Sequence, residues 1–135
     1  MDTATVTYLG DLQCELEHLR SGQVIATDAP VDNKGKGGAF SPTDLLATSL
    51  AACMITTMGI VAREKGIPLN GLRARVVKHM APPPRRVARV EIHMELDGRG
   101  LDDRQRTIME QTARTCPVAL SLSAELIQDI QIRFT

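Results

Sequence analysis

The stretch 41–66, SPTDLLATSLAACMITTMGIVAREKG, limits what this chain can fold into more than any other. Ser41, Pro42 and Asp44 read as N-cap, N1 and N3 of a helix, with Asp in the place that a capping box usually gives to Glu. Leu45, Leu46, Ala47, Leu50, Ala51, Ala52, Cys53, Met54, Ile55, Met58, Ile60 and Val61 then cover every face of it. A helix that is apolar all round is expected to be buried on all sides. Thr48, Ser49, Thr56 and Thr57 interrupt the run, which falls short of the roughly 18 unbroken apolar residues of a membrane span. Charge returns at Arg63, Glu64 and Lys65, and Gly66 supplies a stop. In the middle of this helix sits one thiol, Cys53.

The remaining sequence supplies strands to cover such a helix, so an α+β fold in a single domain over 1–135 is expected. Residues 3–9 and 87–96 read as strands, the second with Val90, Ile92, Met94 and Leu96 alternating against Arg89, Glu91, His93 and Glu95. His93 falls on the polar side and reads as a surface residue. From 12 to 20 the period is again two, and its parity puts His18 and Arg20 on the face of Leu12, Cys14 and Leu16. A strand that frays near His18 would instead leave both in solvent. Residues 28–40 are rich in Gly, Pro, Asn and Asp and read as a flap or contact loop, with no phosphate-binding spacing. Further strands are expected over 69–80 and 130–134, and a helix begins near Asp102 and Asp103. That helix must break at Cys116-Pro117, and a restart over 117–122 would set Cys116 at a helix N-terminus.

Charge and composition exclude several function classes. Sixteen basic and sixteen acidic residues cancel, which gives no field to attract nucleic acid or an anionic membrane. Tyr8, Phe40 and Phe134 are the only aromatic residues, too few for a stacking platform. Met1-Asp2-Thr3 leads into a strand-like segment rather than an export signal, and three cysteines are an odd number. A cytoplasmic protein with free or redox-active thiols is the expectation. The cysteines form neither a CxxC pair nor a compact cluster with histidine, so no metal site is expected.

The thiols carry what chemistry there is. A cysteine attacks as its thiolate, which a helix N-terminus or a nearby cation stabilises. On that ground Cys116 is the better placed, whereas burial among Ala and Met would raise the pKa of Cys53 unless a cation reaches it. Cys14, on the apolar face of its strand, reads as structural. Each of the other two, taken alone, is a structural thiol more often than a reactive one.

Residues 37–54, GGAFSPTDLLATSLAACM, followed by 113–126, ARTCPVALSLSAEL, resemble the OsmC/Ohr family of osmotically inducible and organic hydroperoxide resistance proteins. The likeness extends over nearly the whole chain in order. It implies an intertwined homodimer in which antiparallel sheets wrap two central helices. It also implies a thiol-dependent peroxidase in which Cys53 is the peroxidatic cysteine and Cys116 the resolving one. The substrate would be an organic hydroperoxide and the reductant a cellular dithiol, with no cofactor. In such proteins an N-terminal arginine, held by a glutamate directly after the helix-start proline, stabilises the first thiolate. Here Thr43 follows Pro42, and Asp44 comes one residue later, about half a turn out of phase with Cys53. Arg20 is the best candidate for the arginine, with His18 beside it, and Leu50, Met54 and Met58 would give the pocket its apolar lining. A different class of function is an OsmC-like dimer that binds a small apolar or electrophilic ligand, with the thiols as sensors or core residues.

Overall fold

The computed structural model describes all of residues 1–135. In chain order it contains β1 (Ala4–Gly10), β2 (Gln13–His18), β3 (Val24–Asp28), α1 (Pro42–Lys65), β4 (Arg73–Ala81), β5 (Arg86–Leu96), α2 (Asp103–Arg114), α3 (Pro117–Ser121) and β6 (Ile127–Phe134). The class is α+β, with two three-stranded sheets, β1-β2-β3 and β4-β5-β6. The chain forms two compact units, Met1–Leu46 and Ala47–Thr135, whose boundary falls inside α1.

In the first unit β1, β2 and β3 make an antiparallel meander. Leu16 lies opposite Val6 and Ile25, and Cys14 lies opposite Tyr8 and Thr27. The alternation read from the sequence stops at His18. The next residues form a turn in which the Gly22 amide donates to the His18 carbonyl, and Gly22 takes a φ of +73°. Arg20 is therefore on a turn, not on an inward-facing strand position, and both Arg20 and His18 are exposed. The loop after β3 closes on itself when the Asp28 amide donates to the Phe40 carbonyl at 3.1 Å. A Cβ on Gly35 would sit 1.7 Å from the Ala29 carbonyl oxygen, so only glycine fits that close approach. The α1 entry is the reciprocal cap expected of Ser41 and Asp44. Ser41 Oγ accepts the Asp44 amide at 3.1 Å, and Asp44 Oδ2 accepts the Ser41 amide at 3.0 Å.

In the second unit the sheet packs its inner face on the rest of α1 and on α2. Val90, Ile92, Met94 and Leu96 of β5 are each at most 1% exposed. They join Leu50, Ala51, Met54 and Met58 of α1, with Met109 and Ala113 of α2, in one core. Strand β4 pairs with β5 antiparallel, while β6 pairs with β5 in parallel. A parallel neighbour requires a crossover, which α2 and α3 supply. Asp102 caps α2 reciprocally with Gln105, as the acidic start suggested. On the outer face His93 is more than a plain surface residue. Its Nε2 lies 2.5 Å from Glu91, which is also bonded by His79 at 3.0 Å and ion-paired to Arg89.

Within this chain α1 is not covered on all sides. Leu46, Ser49, Ala52, Thr56 and Ile60 are exposed, at spacings of three and four residues that put them on one stripe. By length and composition alone α1 is apolar enough to cross a membrane, with a mean hydropathy of 1.9 over its best window. Its opposite face is nevertheless built into the protein core.

Candidate functional site

Two helices bring two sulfurs together. Cys53 sits in the fourth turn of α1, partly exposed. Cys116 is the N-cap of α3 and is fully buried, at 0% exposure. The proline at 117 dictates that geometry, since it suits the first position of a helix and forces the residue before it out of the helical region. Cys116 accordingly has φ −70° and ψ 157°, and its Sγ accepts the Ala119 amide at 3.5 Å. The two thiols are free and near enough for each to perturb the ionisation of the other.

The electrostatics differ sharply at the two sulfurs. At Cys53 burial pushes the pKa up, but hydrogen bonds from the Val118 amide, the Cys116 thiol and the Thr57 hydroxyl outweigh it and leave the thiol below its ordinary value. At Cys116 burial dominates and is reinforced by the neighbouring Cys53, so this thiol is pushed up despite the Ala119 and Val118 amides. The start of α3 thus serves both sulfurs, but only Cys53 ends below its ordinary pKa. Of two successive amides at the start of α3, that of Val118 acts on both thiols and that of Ala119 on Cys116, yet only the more exposed one, Cys53, gains net stabilisation of its charge. All three groups that lower the Cys53 pKa are hydrogen-bonding partners from the second unit, and none is a cation.

The other residues singled out from the sequence lie elsewhere. Leu50, Met54 and Met58 are each 0% exposed, in the core. Their four-residue spacing sets them on the face of α1 that packs against the sheet, and an apolar sequence gives no sign of which face that is. Arg20 and His18 belong to the first unit. His18 Nδ1 lies 2.6 Å from Ser21 Oγ and lines a cavity of about 200 Å³ with Leu16 and Ile25. Asp44 is engaged in the α1 cap. Cys14, in the first unit, pairs across its sheet with Tyr8 and Thr27. Two contributors escaped the sequence reading. The Val118 amide has no side-chain signature, whereas Thr57, four residues after Cys53 on the same helix face, could have been found from spacing.

The sequence model of the OsmC-like protein family matches residues 35–130, which include the helix cap and both thiols. This chain belongs to the OsmC-like family. A solved relative from Psychrobacter arcticus 273-4, named for osmotic stress induction and a detoxification response, is 52% identical to it. The alignment covers 98% of this chain and 96% of that one, with a TM-score of 0.92. More distant solved structures share the fold. An organic hydroperoxide resistance protein OsmC from Legionella pneumophila is 20% identical, with a TM-score of 0.72 and 98% and 97% of the two chains covered. An OsmC-like protein from Mycoplasma pneumoniae is 18% identical, with a TM-score of 0.80 and 98% and 95% covered. A comparison with curated protein sequences returned no match.

Proposed function

We propose that this OsmC-like chain is a thiol peroxidase for organic hydroperoxides. The carrying observation is the contact between a partly exposed thiol of lowered pKa, Cys53, and a buried thiol of raised pKa, Cys116. The Cys53 thiolate attacks the terminal peroxide oxygen. A sulfur–oxygen bond forms, the oxygen–oxygen bond breaks, and the alkoxide leaves with a proton from solvent as the alcohol. Cys116 then attacks the Cys53 sulfenic acid, a disulfide forms and water departs. A cellular dithiol returns the two electrons. None of these steps uses a metal or organic cofactor.

The choice of organic peroxides rests on the relatives named for hydroperoxide resistance, since the apolar residues once assigned to the pocket belong to the core. Arg20 and Asp44 are the candidates in this chain for the arginine and acid that the family sets near the thiolate, with His18 beside Arg20. The open stripe on α1, with Ala52 and Thr56 at its middle, suits a second copy of the chain and supports a homodimer. A reducing cytoplasm suits three free cysteines.

A free-thiol count tests the proposal. The reduced protein has three free thiols. One equivalent of cumene hydroperoxide should consume two of them, linking Cys53 to Cys116 and sparing Cys14. Consumption no faster than that of free cysteine would refute the assignment.

A further inference from the structure

Thr57 lies one helical turn beyond Cys53 on α1 and is half-buried. Its hydroxyl donates to the Cys53 carbonyl at 2.7 Å and lies 4.0 Å from the Cys53 sulfur. A hydroxyl has one hydrogen and two lone pairs. With that hydrogen committed to the carbonyl, Thr57 can only accept from the protonated thiol. Ionisation removes the thiol hydrogen and leaves two acceptors facing each other.

We infer that Thr57 is a rotating donor to the Cys53 sulfur, accepting from the thiol and turning about one bond to donate to the thiolate. The new bond is charge-assisted, which makes it stronger than the neutral one it replaces. The Cys53 carbonyl is not orphaned by the rotation, because it keeps the intrahelical bond from the Thr57 amide. The thiol proton leaves to solvent and Thr57 keeps its own throughout. Hydroxyl-to-carbonyl bonds of this kind are common in helices, and Thr107 and Thr112 in α2 and Thr115 at its C-cap make them. The contact with a sulfur that ionises early sets Thr57 apart. The inference rests on Cys53 being the attacking thiol.

The test is the pH dependence of Cys53 alkylation by iodoacetamide in the full-length protein, followed by the mass of the Cys53 peptide. In T57V the midpoint should rise by about one unit, which lowers the thiolate fraction near neutrality about tenfold. T57S should stay within about twofold of wild type, and T107V, which loses only a carbonyl bond, should leave the profile unmoved. The inference is overturned if T57V titrates like wild type, or if T57S shifts as far as T57V, which would assign the effect to packing of the γ-methyl group. Because no peroxide is used, a shifted midpoint in a protein inert to cumene hydroperoxide would uphold the role of Thr57 and remove the peroxidase assignment alone.

Discussion

Cys53→Ser is expected to reduce the rate of cumene hydroperoxide consumption by a factor on the order of a thousand or more, because a hydroxyl at that position does not ionise in the working range. Cys116→Ser should behave differently. Its Cys53 is still exposed and still bonded by the Val118 amide and Thr57, so it reacts once and halts as sulfenic acid, which a dimedone-type reagent captures. The asymmetry follows from burial as much as from charge. Cys116 has no exposed surface through which a peroxide could meet its sulfur. Peroxide-consumption kinetics with mass analysis of both variants decide the matter. Full loss of the initial reaction in Cys116→Ser, with substantial rate retained in Cys53→Ser, would reverse the two roles.

The second large effect is on stability. Met58 is fully buried in one core with the β5 side chains and has Met54 and Leu50 one and two turns before it on α1. Truncating it leaves a cavity in a region where neighbours can collapse only in part, so Met58→Ala should cost about 2–5 kcal/mol. For a chain of this size that is a fall in Tm of roughly 10 °C, read by calorimetry. The Cys53 alkylation rate below the melting transition should not change. An unaltered Tm together with a changed preference between cumene hydroperoxide and hydrogen peroxide would restore Met58 to a substrate pocket.

These two residues mark how far the sequence could be read. The α1 cap was legible because its chemistry is local: a hydroxyl, a proline and a carboxylate within four positions answer one another's backbone groups. The Cys116-Pro117 break was legible for the same reason, and the alternation of β5 maps directly onto buried and half-buried sides. Long-range facts were not. Nothing in 41–66 says which face of α1 meets the sheet, since every face carries apolar residues, and so Met54 and Met58 could be mistaken for pocket lining. The parity that directed Arg20 inward failed because Gly22 turns the chain sooner than alternation suggests. That the Val118 amide serves Cys53 depends on a main-chain group two residues past another cysteine, brought close only by the crossover into β6.

The seclusion of Cys116 also dictates how an oxidised molecule is recharged. By acidity alone Cys53 is the better departing thiolate, which would direct an incoming dithiol to Cys116. Cys116 is shut away from solvent, however, and access overrides that preference. On the proposed cycle the external dithiol must join Cys53 first and expel Cys116 into the interior as the weaker acid. A trapped adduct of a small dithiol should therefore map to Cys53, and its recovery on Cys116 would mean that the start of α3 opens during the catalytic cycle.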